Sequence, residues 1–209
     1  MALVKYNNNS ISAITAASSL PTGAMTLIKE QTASASATIS FVDGTSDVVL
    51  DSTYPIYVFK FIEIHPATNG AHFTFNLSVD SGSNYNVTKT TTAFRPFHYE
   101  SDSTPELAYQ TGSDLAQGTG FQNIAENLGN ANDENSSGEM FLFNPSSTTF
   151  VKHFISSINL SHASAYPASV NWRIAGYGNT TSAVDAVQFK MSSDEIDAGT
   201  IKLYGIKDS

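Results

Sequence analysis

Five histidines are the first places to look for chemistry: His65, His72, His98, His153 and His162. No two fall in the H-x-x-x-H or H-E-x-x-H spacing that lets one helix face present paired ligands to zinc. A zinc site would need distant residues to converge, and His72 and His153 read instead as strand-face residues with a hydrogen-bond partner. The oxygen-rich stretch Asn130 to Glu139 is a candidate for a hard cation. Its Asn130, Asn132, Asp133 and Glu134 supply the carboxylate and amide oxygens that calcium takes. The stretch departs from a D-x-D-x-D-G register, because Asn135 follows Glu134 where the sharp turn needs glycine, and a solvated loop is the favoured alternative. Nucleophilic catalysis has no G-x-S-x-G elbow and no cysteine to draw on. Asp43, Asp47, Asp51, Glu100, Asp102 and Glu106 fall in loop-like stretches, and nothing in their spacing sets a pair across one cleft as glycoside hydrolysis requires. No glycine-rich phosphate loop is present. The residues predict a protein that is not an enzyme.

Aromatic side chains offer a different chemistry. Tyr99, Tyr109, Tyr166, Trp172 and Tyr177 lie outside the strand interiors or near their ends, where rings can stack on sugars. Tyr166-Pro167 and Gly176-Tyr177-Gly178 put two of them beside turns, so Tyr166, Trp172 and Tyr177 are the glycan-binding candidates. The alternative, which is favoured, is that Trp172 and its neighbours fill the core.

The balance of charge narrows the partners. Ten basic residues stand against 19 acidic ones, for a net charge of −9. Nucleic-acid binding needs clustered cations. Here Arg95 and Arg173 stand alone and no lysine run occurs, which argues against DNA, RNA and anionic membranes alike. No stretch approaches the roughly 20 apolar residues of a membrane span, and the N-terminus lacks the architecture of a secretory leader. The absence of cysteine removes disulfides and thiolate metal sites.

The elements that must position these residues read as β-strands. The centre of the chain is Ile56-Tyr-Val-Phe-Lys-Phe-Ile-Glu-Ile64, then His65-Pro-Ala-Thr-Asn-Gly70, then Ala71-His-Phe-Thr-Phe-Asn-Leu-Ser-Val79. The last segment alternates, with Phe73, Phe75, Leu77 and Val79 on a predicted core face and His72, Thr74, Asn76 and Ser78 opposite. The first is apolar on both faces, as in a covered central strand. Asn69-Gly70 suits a tight turn, so the pair is predicted to form a β-hairpin. Further strands are expected over Met25–Glu30, Ala35–Val42, Tyr85–Thr90, Thr92–Tyr99, Glu139–Phe143, Thr149–Ser156, Ser169–Gly176, Ala186–Met191 and Gly199–Gly205. Phe121, Ile124, Ala125 and Leu128 have the i, i+3, i+4, i+7 spacing of one short helix. Gly199 to Ile206 is apolar on both faces except for Lys202, so it must be covered, inside the domain or beneath a neighbouring subunit. The expected architecture is a single all-β domain over residues 24–209, an antiparallel β-sandwich of jelly-roll type with about ten strands and one short helix. Residues 1–23 form either a frayed terminus or an arm that docks on a neighbour.

Several segments resemble a family of virion structural proteins from marine tailed bacteriophages. They are Phe143-Asn-Pro-Ser-Ser-Thr-Thr-Phe-Val-Lys-His-Phe154, Gly176-Tyr-Gly-Asn-Thr-Thr-Ser182, Ala186-Val-Gln-Phe-Lys-Met-Ser-Ser193 and the closing Gly199-Thr-Ile-Lys-Leu-Tyr-Gly-Ile-Lys207. Tyr57-Val-Phe-Lys-Phe-Ile-Glu-Ile-His-Pro-Ala-Thr68 also looks like that family. The resemblance implies a place on the outside of a virion, as a head decoration or a tail or fibre component assembled in the host cytoplasm. Its implied partners are major capsid or tail proteins and further copies of itself, with a trimer favoured. A receptor-binding module for host surface glycans is the alternative. The resemblance carries over no catalytic residues and no cofactor; the metal candidate remains calcium at the Asn130 loop, read from the residues themselves.

Overall fold

The computed structural model describes residues 25–163 and 167–207; the expected arm and Tyr166 lie outside the described residues. Twelve strands follow in order: β1 (Met25–Ser36), β2 (Ile39–Val42), β3 (Ile56–Pro66), β4 (Ala71–Ser78), β5 (Lys89–Tyr99), β6 (Pro105–Tyr109), β7 (Gln122–Leu128), β8 (Ser136–Phe143), β9 (Lys152–Ser161), β10 (Ala168–Gly178), β11 (Ala186–Met191) and β12 (Ile196–Ile206). They form two antiparallel sheets, an eight-stranded one ordered β1-β12-β3-β8-β9-β10-β5-β6 and a four-stranded one ordered β2-β11-β4-β7. The expected all-β sandwich is present, divided eight and four.

The apolar inner faces of the two sheets supply the core. Phe189 of β11 is its hub, with the rings of Phe41, Phe59, Phe61, Phe73 and Phe75 at centroid distances of 5.1 to 6.4 Å. Phe75 also meets Phe154 edge-on at 4.9 Å. Rings at these separations and tilts gain quadrupolar attraction beyond their area burial.

Three expectations are corrected. The central segments are strands, but β3 and β4 do not pair as a hairpin; they lie in opposite sheets. Both carry core-facing aromatics, and these meet across the sandwich, as Phe61 and Phe73 do at 5.2 Å. Side by side in one sheet, β3 and β4 would leave that facing contact unmade. The short helix is absent: residues 122–128 form β7, paired with β4. The register shifts twice along that pair and Asn127 has φ of 56°, so bulges bring Ile124, Ala125 and Leu128 all to buried positions. A bulged strand thereby reproduces a helical spacing.

The third correction concerns β4, whose polar face is buried too. Phe73, Phe75 and Leu77 are in the core as expected, but Val79 is exposed and Thr74, Asn76 and Ser78 are buried. The Asn76 amide donates to the carbonyls of Tyr85 (2.6 Å) and Thr119 (3.0 Å). Its Oδ1 accepts the Leu77 N–H at 2.9 Å and the Lys89 ammonium. Buried polar groups of this kind are tolerable because each is bonded. The residues that close over Asn76 come from the 85–89 region, expected as a strand, and from around Thr119.

Backbone contact at β8 makes one glycine irreplaceable in place. A Cβ on Gly138 would lie 2.2 Å from the Ser157 carbonyl oxygen and 2.7 Å from Ile158 Cα. Gly138→Ala should therefore cost about 1–3 kcal/mol by overpacking, read as a lowered urea midpoint. An unchanged midpoint would mean that β8 and β9 approach less closely than described.

Candidate interaction surface

The outer face of the eight-stranded sheet carries an apolar band that follows from register alone. Because β-strand side chains alternate, direct cross-strand partners share a face. One row of partners runs Leu27–Tyr204–Val58–Phe141–Ile155–Ala175–Thr92, crossing seven strands from β1 to β5. A second row beside it contains Met25, Ile206, Ile56 and Phe143, in β1, β12, β3 and β8. Beyond the β8–β9 pair it continues with His153, Tyr177 and Thr90. Leu27 is 48% exposed and Ile155 49%. Val58, flanked in its row by Tyr204 and Phe141, is fully buried although it stands outside the core cluster. The rings of Phe141 and Phe143 stack at 6.4 Å. These side chains form a second apolar layer on the solvent side of the sheet.

Charge borders the band on one side. The next row holds Glu30, Lys202, Lys60 and Glu139, with an ion pair of 2.9 Å between Lys202 and Glu30 and another between Lys60 and Glu139. Exposed pairs of this kind contribute little stability; their arrangement, two adjacent lysines flanked by a glutamate on either side, sets a charge pattern along that border that a second surface has to match. Beyond them Thr32 and Thr200 exchange a hydroxyl contact at 3.3 Å.

Towards β5 the band deepens into a groove of about 440 Å³ lined by Thr90, Thr92, His153, Ile155, Ala175 and Tyr177. The His153 and Tyr177 rings lie 5.9 Å apart. Behind them the Asn179 amide donates to Gln117 Oε1 at 2.8 Å, and the Gln117 amide donates to Thr90 Oγ1 at 2.7 Å.

Of the sugar-stacking candidates, Tyr177 is in this groove. Trp172 is 1% exposed and fills the core, as the favoured alternative had it, so it cannot present a face to a sugar. Its ring instead carries the Arg95 guanidinium at 5.5 Å. The Asn130 loop is stitched by its own bonds: Asn130 donates to the Ala67 carbonyl at 3.0 Å and Glu134 accepts the Ala131 N–H at 2.9 Å. Asn132 and Glu134 line a hollow of about 510 Å³ with Glu63, His65 and Asp197, while Asp133 is exposed. Among the described residues no three His, Cys, Asp or Glu side chains gather as a metal set.

Several other titratable groups take structural hydrogen bonds. His72 Nδ1 accepts the Asn127 N–H at 3.0 Å, the strand-face role expected of it. Asp43 accepts the Leu50 N–H at 2.8 Å. Asp51 accepts the Thr53 N–H at 2.7 Å, and its bonds to Thr53 hold its carboxyl below the usual range. His98 and Asp102 meet at 3.0 Å. Burial, reinforced by the Arg95 charge, pushes the His162 imidazole down.

Sequence reasoning missed two buried lysines. Lys89 and Lys152 both stand opposite Gly178, on either side of it in the sheet. Their stems are fully covered. The Lys89 ammonium donates to Asn76 Oδ1 and to the Val87 carbonyl, 2.8 Å away. That of Lys152 donates to the carbonyls of Phe150 (2.6 Å) and Thr180 (3.3 Å). Burial lowers both pKa values, that of Lys89 to about 8. Their position on the inward phase of their strands, in step with Ala93 in β5 and with Phe154, Ile158 and Leu160 in β9, was the one available signal.

No family profile, no curated protein and no solved structure matches the chain.

Proposed function

We propose that this chain is a non-enzymatic structural protein on the exterior of a tailed-phage virion, where it assembles laterally through the outer face of its large sheet. The apolar band carries the reading. A solvent-facing band that crosses seven strands is the kind of surface a structural subunit buries against a neighbour, and its charged border gives that contact a register. The virion setting comes from the family resemblance of the Phe143–Phe154 and Gly199–Lys207 segments. The net charge of −9 suits an exterior position, since it repels packaged nucleic acid and keeps particles apart. Partners are capsid or tail proteins and copies of the chain itself, with the trimer favoured by the resemblance.

The test is sedimentation. The purified protein should run as an oligomer, and Ile155→Glu should shift it to monomer while leaving the melting temperature within a few degrees, since the side chain is exposed. A monomeric parent protein at high micromolar concentration would defeat the proposal. Counting copies by mass spectrometry of purified particles separates head decoration, at hundreds per virion, from tail or fibre.

A second reading, a host-glycan-binding module, draws on the groove. Tyr177 and His153 offer stacking faces beside the Thr90–Gln117–Asn179 chain of hydroxyl and amides, a combination that suits the apolar face and hydroxyl rim of a sugar ring. A glycan array decides it: binding that disappears in Tyr177→Ala supports a receptor role, and no binding leaves the groove as part of the assembly face.

A further inference from the structure

We infer that the apolar band on the outer face of the large sheet is the seat of residues 1–24 of a neighbouring copy of this chain. The inference rests on the lateral assembly proposed above and names the segment that makes it. Three observations support this occupant.

The first is where the segment joins the body. The described chain begins at Met25, the first residue of β1, and β1 is an edge strand of the large sheet. Met25 and Leu27 are themselves the β1 members of the band, and both are exposed. Met25, where the described residues begin, therefore stands at the rim of the sheet, at the height of the band.

The second is length. The band crosses seven strands, a distance of roughly 30 Å at the usual strand spacing. The 24 residues ahead of Met25 reach roughly 80 Å when extended. Less than half of the segment spans the band, and the remainder bridges the gap between copies.

The third is chemistry. The segment contains Leu3, Val4, Ile11, Ile14 and Leu20, and its one charged side chain is Lys5. Removing Lys5 from the 10 basic residues leaves 9 against 19 acidic ones, so residues 25–209 carry −10. An arm with no carboxylate adds nothing to the repulsion between acidic bodies, and it buries no charge of the wrong sign on an apolar surface. Isolated apolar residues separated by Ser, Ala, Thr and Asn cannot form a core, but they can seat one at a time along a row of exposed Leu, Ile and aromatic side chains.

The natural absence of cysteine makes the test direct. Full-length Ile14→Cys is mixed with full-length Ile155→Cys and, separately, with Ser83→Cys, which sits in an exposed loop after β4; both mixtures receive a short bis-maleimide. The first should give a covalent species of two chains, and the second should not. Intramolecular cross-linking of a monomeric Ile14→Cys/Ile155→Cys chain would show that the arm covers its own band and would overturn the inference. An intact oligomer without the cross-link would overturn it too, while leaving lateral assembly standing. A monomer at every concentration would remove assembly itself. As a second measurement, full-length Ile11→Asp/Ile14→Asp should self-associate at least about tenfold more weakly, because two buried apolar anchors become charges. Undiminished self-association would count against the arm.

Discussion

Phe189→Ala should destabilise the protein by about 3–5 kcal/mol, at or near the upper end for a single aromatic truncation. Phe189 is fully buried and, among the described residues, is the one ring in contact with five others, drawn from β2, β3 and β4. Removing it leaves a void walled by Phe41, Phe59, Phe61, Phe73 and Phe75. These side chains project from two sheets whose backbones are tied by ladders, so the cavity cannot close without moving strands. Phe75→Ala, on the margin of the same cluster, should cost about 3–5 kcal/mol as well, whereas exposed Phe150→Ala should cost well under 1 kcal/mol. Urea denaturation at pH 7 measures all three. A Phe189→Ala loss below about 1 kcal/mol would mean that the two sheets do not meet at β11.

Stability should rise between pH 8 and 10, and Lys89→Met should abolish most of the rise. Burial lowers Lys89 from 10.5 to about 8. Below pH 8 both folded and unfolded chains carry the charge, and the folded state bears its burial cost in full. Between the two pKa values the unfolded chain binds the extra proton, so stability increases with pH. The whole difference amounts to roughly 3 kcal/mol, and Lys152, lowered for the same reason, adds to the trend. Tyr57 opposes it at higher pH. Its buried hydroxyl donates to the Asp51 carbonyl at 2.9 Å, and burial raises its pKa. Above about pH 10 the unfolded chain loses that proton first and stability falls, placing the maximum near pH 9–10. In Lys89→Met, Asn76 Oδ1 keeps the Leu77 N–H, so the variant should still fold. Urea midpoints at pH 7, 8, 9 and 10 give the slope; equal slopes in parent and variant would show that Lys89 is not the group responsible.

What the sequence determined by itself is the identity of most strands and the side of each that is apolar. Period-two alternation in Phe73, Phe75 and Leu77 identifies a core face because a strand's side chains alternate whatever the strand pairs with. The doubly apolar Gly199–Ile206 segment likewise required cover, and β12 lies between β1 and β3, with Ile201 and Leu203 in the core and Tyr204 and Ile206 in the outer band. Which strands become neighbours was decided only in three dimensions. Pairing depends on where apolar faces meet across the sandwich, so adjacent β3 and β4 separate into two sheets while β1 and β12, from opposite ends of the described chain, pair along ten positions. The helix-like spacing of residues 121–128 became a bulged strand because a partner strand, not local periodicity, satisfied its backbone. The outer band is likewise invisible along the chain. Leu27, Tyr204, Val58, Phe141 and Ile155 come from five strands, and each alone is an ordinary apolar or aromatic strand residue. Only the register that aligns them makes a surface, because side chains become neighbours on a sheet through hydrogen-bonded pairing across strands.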